Sequence, residues 1–309
     1  MEPFPWDPDG LLRVSDAQTL GVDPRRVYDA ERQGRVMGVA RGVYALPSER
    51  RPESVHRLEV LAARITADEV VSHTSAAVLH RLSMLQPDLS RLHLTTVGSD
   101  RGYRRRTRHV HPGPLAGAEI GQVGGIRATT LERTAYDVAR SSRIGFAGAL
   151  SVFDSALRGG ADRRVIETLC LRRQAGVATA RNAIRWADPL SENPGESWGR
   201  AQLIAGGVRA PVLQHEVLDE YGLVVARLDY AWDDDEGQVR LAGEFDGLSK
   251  YVDHTRRGET PQDVLRREKE RESMLQDLGI AVVRWNWADL RAGRVAPRVS
   301  GALRRLRLV

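Results

Sequence analysis

The sequence predicts a multi-domain α/β protein. Three observations lead there. The 309 residues suffice for two or three hydrophobic cores. The apolar period changes along the chain, from paired helices to alternating strands and back. From Glu196 onward the order reads helix, three strands, helix, strand. Glycine and proline punctuation sets domains at 1–50, 53–188 and 192–309, with "PLSENPG" as the last linker.

Residues 11–46 read as helix, turn, helix and a short hairpin. Ser15 is the expected cap of "SDAQTLG", which stops at Gly21. Asp23 caps the next helix, "VDPRRVYDAERQG", with Pro24 in its first turn. "RVMGVARGVYAL" alternates as two strands about Arg41 and Gly42. This is the pattern of a winged helix-turn-helix, whose second helix enters a DNA major groove. Arg25, Arg26, Tyr28 and Arg32 on that helix, with Arg41 on the wing, are the candidate DNA contacts. The segment is not basic overall, so DNA binding rests on where its arginines sit. A small protein-interaction domain is the other reading.

Residues 53–140 read as a mixed α/β module. "ESVHRLEVLAARI" and "SHTSAAVLHRL" are helices, the second capped by a serine or threonine. "RLHLTTV", "RHVHPG" and "GIRATT" are strands, and the box Thr129-x-x-Glu132 opens the helix "TLERTAYDVARSS". "DRGYRRRTRHVH" places Arg101, Arg104, Arg105, Arg106 and Arg108 around Tyr103. Such interleaving suits a nucleic-acid backbone, and equally a solvated hairpin tip. Six of the eight histidines lie between His56 and His111. His73 and His80 share a helix face, and His109 and His111 a strand face. These spacings match no common ligand set, so they read as core and surface histidines. Residues 141–188 then show helical apolar spacing and no nameable chemistry.

The last third carries the carboxylates. "LVVARLDYAW" and "VRLAGEFDGL" flank a turn centred on Glu236 and Gly237. That turn sets Asp229 opposite Glu244, and period two adds Asp246 to the face. Three converging carboxylates repel unless a cation lies between them. Mg²⁺ on Asp229 and Glu244 is the expected cofactor, able to polarise a phosphodiester and activate water. An exposed acidic hairpin tip is the plain alternative. Period two also puts Trp285 and Trp287 on one face of the final strand, and Pro297 starts a last basic helix.

Composition narrows the classes. Of 46 basic side chains only Lys250 and Lys269 are lysines. A GC-rich genome accounts for most of that bias. A lysine kept near the acids has chemical meaning, because it can act as a base and arginine cannot. The net charge of +5 is compatible with nucleic acid without requiring it. One cysteine, Cys170, excludes an internal disulfide and a thiolate zinc site within one chain. No run of apolar residues is long enough to span a membrane. The opening "MEPFPWDPDG" lacks the basic and apolar parts of a signal peptide, so the cytoplasm is the expected compartment.

Two resemblances follow from these residues. "ESWGR", "RLDYAW" and "GEFDG", in the order αβββαβ, resemble the PD-(D/E)XK restriction-endonuclease-like superfamily, and within it the very-short-patch-repair-like domains. That resemblance implies metal ligands at Asp229 and Glu244 and an outer or orienting acid at Glu196. In an active site Asp246 would be an auxiliary ligand, and a lysine would serve the water or the phosphate. The superfamily's lysine falls two residues after Glu244, where this chain has Asp246. Lys250 is the nearest substitute, with Lys269 the second. The winged helix ending in "RGVYAL", with "SHTSAAVLHRL", "RLHLTT" and "ERTAYDVAR", resembles AbiEi-type antitoxins and transcriptional regulators. It implies DNA and a cognate toxin as partners. The expected function is therefore a DNA-binding regulator carrying a nuclease-like domain, with a Mg²⁺-dependent endonuclease as the alternative.

Overall fold

The computed structural model describes residues 4–47, 51–98, 101–219, 221–247 and 260–308. Lys250 lies outside them. The described chain is mixed α/β and divides into two compact units, 1–82 with 87–138, and 83–86 with 139–309. None of its helices is long and apolar enough to cross a membrane.

The first unit opens with strand β1 (Leu11–Arg13), helix α1 (Val14–Thr19) and helix α2 (Pro24–Arg32). Strands β2 (Met37–Ala40) and β3 (Val43–Ala45) follow. The sheet order is β1-β3-β2, all antiparallel. Helix, turn, helix and hairpin are as expected, but β1 is an addition. Its residues Leu11 and Leu12 are fully buried, one on each side of the small sheet. The expected cap at Ser15 is corrected: α1 begins at Val14, behind β1, and Ser15 lies inside its first turn. Asp23 does cap α2, accepting from the Arg25 amide at 2.9 Å.

A six-stranded sheet follows, in the order β6-β7-β5-β4-β9-β8. Its members are β4 (Glu69–Val71), β5 (Leu92–Thr96), β6 (Tyr103–Arg104), β7 (Arg108–His111), β8 (Ile120–Val123) and β9 (Ile126–Thr129). The short strands β4, β6 and β8 go beyond the three expected, because two to four residues carry little alternation. Helices α3 (Pro52–Ala62), α4 (His73–Leu79) and α5 (Leu131–Arg140) accompany the sheet. Val60, Ala76 and Leu79 meet Val71, Leu92, Leu94, Val110 and Ala128 in its core. The side chain that accepts from the first turn of α5 is that of Thr130, not Thr129: it takes the Arg133 amide at 3.4 Å. Thr129 ends β9 and shares a 2.6 Å hydrogen bond with the Thr134 hydroxyl.

The second unit takes in the helical segment assigned from sequence to the middle module. Helices α6 (Phe146–Arg158), α7 (Arg163–Leu169) and α8 (Val177–Trp186) precede α9 (Pro194–Ala205). A buried polar network joins α6 to α9. The Asp154 carboxylate on α6 accepts from Arg200 (2.6 Å) and Ser197 (2.8 Å) on α9, and from the Asp188 amide (2.8 Å). "PLSENPG" is thus less a linker than the start of α9, where Asn193 accepts from the Gly195 and Glu196 amides.

The rest is a four-stranded sheet in sequence order: β10 (Val212–Leu218), β11 (Val224–Asp233), β12 (Val239–Asp246) and β13 (Ala281–Asn286). Only β12 and β13 are parallel, and α10 (Pro261–Asp277) forms the crossover between them. Helices α11 (Trp287–Arg291) and α12 (Val295–Arg305) end the chain. One apolar cluster joins α9 and α12 to Tyr230, Trp232, Leu241, Phe245 and Trp285. A second joins Leu275 of α10 and Ile280 to Ala231 and Ala242. The expected αβββαβ order is present. Trp285 is buried, but Trp287 is not on the strand with it: Asn286 caps α11, and Trp287 is that helix's first residue.

Candidate functional site

The helix–turn–helix and hairpin of the first unit turn their arginines outward. Val27 and Ala30 of α2 are fully buried, packed with Leu12, Ala17, Val36 and Tyr44. Helical spacing then sends Arg25, Tyr28 and Arg32 to the opposite face, three and seven residues on from Arg25. Arg25 and Arg32 are exposed, Tyr28 is 45% exposed and Arg26 is half-buried. Arg32 pairs with Asp29 on the same face. Gly42, at a φ of +74°, makes the β2–β3 turn and leaves Arg41 exposed beside it. This is a helix with an apolar back, a cationic front and an aromatic between its arginines.

The second arginine cluster lies on a sheet edge. Tyr103 pairs with Val110 and Arg104 with His109 across the β6–β7 hairpin. Arg101, Arg104, Arg105 and Arg106 are all exposed. The Arg105 guanidinium lies 5.0 Å from the Tyr103 ring centre, a cation–π contact. Arg108 differs: it turns back to Glu69 at 3.4 Å and to the Arg64 carbonyl.

The carboxylates sit in the second unit. The β11–β12 register is the one the turn predicts, with Tyr230 opposite Gly243, and Gly237 in the left-handed region at +77°. The ladder stops one step short of Asp229 and Glu244. Asp229 instead accepts from the Phe245 amide at 2.8 Å through its side chain. Glu244 is 3% exposed, and an arginine engages each of its oxygens, Arg271 from α10 on one and Arg284 from β13 on the other. Glu196 accepts from the Glu192 amide (2.7 Å), Asn193 (2.5 Å) and Gln214 (3.2 Å). Asp246 is exposed at the end of β12, and Lys269 is exposed on α10. The site's acids therefore have polar protein partners, arginine above all at Glu244.

Sequence reading missed a histidine cluster in the first unit. His93 on β5 lies opposite His109 on β7, and His111 lies two residues further along the same strand. His73, at the start of α4, stacks on His111 with ring centres 3.6 Å apart. Burial, then the neighbouring His109, hold the His93 imidazole down to about 4. Burial, then the other imidazoles, depress His111 further, and burial and Arg104 lower His109. The missing signal was the β5–β7 register, since parallel strands with no hairpin between them leave no turn from which to read it.

Comparison with known proteins bears on the first of these regions. Residues 8–47 match the family model described as "Transcriptional regulator, AbiEi antitoxin". The match covers the segment from β1 to β3. Two curated relatives, the uncharacterized protein MT2308 of Mycobacterium tuberculosis strain CDC 1551 and the uncharacterized protein Rv2248 of strain H37Rv, are each 30% identical over 277 residues. Each alignment covers 88% of this chain and 94% of the relative.

Proposed function

We propose, for a chain that belongs to the same family as these two mycobacterial proteins, a DNA-binding regulator of the AbiEi antitoxin type. The observation that carries the reading is the outer face of α2, with Arg25, Tyr28 and Arg32 exposed inside the segment that matches the AbiEi model. In this reading α2 lies in a major groove, where an arginine fork suits guanine edges and phosphates alike. Arg26 and Arg41 contact phosphates on either side, which fixes register without reading sequence. Arg101, Arg104, Arg105 and Arg106 add backbone contacts, with Tyr103 as a stacking surface. A cognate toxin is the second partner, supported by the same family match.

The C-terminal domain is a nuclease-like fold kept for stability or interaction. Supporting this, the Glu244 oxygens are held by Arg271 and Arg284, two fixed cations in the place proposed from sequence for Mg²⁺. A Mg²⁺-dependent endonuclease would have to displace both before Asp229 and Glu244 could share an ion. Glu196, Asp246 and Lys250 would complete that alternative site.

Fluorescence anisotropy with labelled DNA from upstream of the chain's own gene tests the reading. The wild type binds it more tightly than an unrelated duplex, and Arg25→Ala with Arg32→Ala weakens binding by about 10- to 100-fold. Equal binding by that double variant overturns the assignment of α2. Incubation of the same DNA with Mg²⁺ leaves it intact, whereas cleavage abolished by Asp229→Ala would favour the endonuclease.

A further inference from the structure

We propose that the first unit holds a divalent transition-metal site, of zinc type, formed by His73, His93 and His111. One ring nitrogen from each of the three lies within 4.8 Å of the others. The tightest pair is His93 Nδ1 and His111 Nε2, 2.9 Å apart. Tetrahedral zinc with bonds of about 2.0–2.1 Å sets its ligand nitrogens roughly 3.3 Å apart. The limits of the cluster are compatible with that spacing. Because the His73 and His111 rings stack at 13° to each other, an ion shared by both requires these rings to rotate out of the stack about their side-chain torsions.

The three ligands come from three elements that the fold holds in register. His93 lies on β5 and His111 on β7, parallel neighbours in one sheet. His73 comes from the junction of β4 and α4. Its backbone is left-handed, at a φ of +51°. Such a conformation is uncommon outside glycine and tends to mark functional sites. The ring is also steered: His73 Nδ1 lies 3.0 Å from the Ser72 hydroxyl, which accepts from the Thr95 hydroxyl at 2.9 Å. Outer partners of this kind orient imidazoles in metal sites.

The His93 and His111 contact fits the same role. Two neutral imidazoles facing each other share one hydrogen between two nitrogens. A cation entering between them needs both lone pairs. The donor ring supplies its own by moving that hydrogen to its other nitrogen, so no proton leaves the pair. Three imidazoles with an open position suit zinc, and also nickel, cobalt and copper, better than Mg²⁺ or Ca²⁺. His109 lies against His111, ring centres 3.8 Å apart and planes tilted by 35°, and stays outside the ligand set.

The test is metal binding by the full chain after chelator treatment. Zn²⁺ is titrated in competition with a chromogenic chelator, and Co²⁺ is added separately to read visible d–d bands. One Zn²⁺ binds per chain, and Co²⁺ gives the intense bands of a low-coordinate site. His93→Gln and His111→Gln weaken Zn²⁺ binding by more than about 100-fold, and Ser72→Ala by about 10-fold. His109→Gln and His215→Ala, outside the set, stay within a few-fold of wild type. No stoichiometric Zn²⁺ on the wild type, or undiminished binding by the His93 and His111 variants, overturns the proposal. Should those variants fail to fold by circular dichroism, the Co²⁺ spectrum of the unaltered chain decides. Bands of a six-coordinate aquo ion alone would then refute the site.

Discussion

The surface arginine clusters of the first unit and the arginines bound to buried acids in the second are used in opposite ways. In the first, Arg25, Arg32, Arg41 and the 101–106 cluster project into solvent. In the second, Arg200, Arg271 and Arg284 turn toward buried carboxylates at Asp154 and Glu244. Arg133 of the first unit, held between Glu119 and Asp137, is of the second kind. The contrast explains why an arginine-rich composition said little by itself. An outward guanidinium is available to a ligand, while an inward one holds the fold together. Only placement distinguishes them, and the α2 face is where placement and family match coincide.

Substitutions in the two places should therefore fail differently. The largest effect is expected at Asp154, whose loss leaves Arg200 as a buried and unpaired cation. Asp154→Ala should cost about 3–5 kcal/mol in chemical denaturation. An unchanged midpoint would mean the network is not the joint between α6 and α9.

A smaller loss should come from acid, in the chelator-treated chain. His93 titrates at about 4 when folded, against its ordinary value of 6.5. As pH falls, the unfolded chain takes up this proton first. The contribution of His93 is thus full above 6.5, declines between 6.5 and 4, and levels off below. The decline is worth about 3 kcal/mol. The pH slope across that window should become shallower in His93→Gln, with His111 and His109 supplying the remainder, and a slope equal to wild type would place the acid sensitivity elsewhere.

Glu244→Gln comes next. The carboxylate is buried, but Arg271 and Arg284 are about one-third exposed, so water takes over part of their lost pairing. About 1–2 kcal/mol is expected, after discounting the cost of breaking a fully buried pair. Unchanged or raised stability would show that the three charges are held together against their own solvation, as in a site awaiting a metal. Gly243→Ala is comparable: a Cβ there would lie 2.8 Å from the Trp285 ring and 3.0 Å from Trp232. Overpacking of that kind costs about 1–3 kcal/mol, read as a lowered melting temperature.

Much of this was legible in the sequence, for physical reasons that differ from place to place. The cap at Asp23, the turn at Gly237 and the β11–β12 register are local, set by a few adjacent residues. The αβββαβ order follows from period changes alone. What escaped was non-local. The end of the ladder at Asp229 depends on how β12 leaves β11 for β13, and the arginines on Glu244 arrive from 27 and 40 residues away. The histidine cluster depends on a parallel register that no turn fixes. β1 escaped because three residues are too few to show a period.

The most direct measurement compares salt dependence of DNA binding with stability for two variants. One carries Arg25→Ala, Arg26→Ala and Arg32→Ala, and the other Arg271→Ala. The α2 variant should keep wild-type stability, lose affinity for the upstream duplex, and show a shallower dependence of log K on log salt. The slope should fall by about 1 for each phosphate contact removed. Arg271→Ala should lose stability and keep both affinity and slope. Wild-type affinity and slope in the α2 variant would contradict the assignment of that helix to DNA.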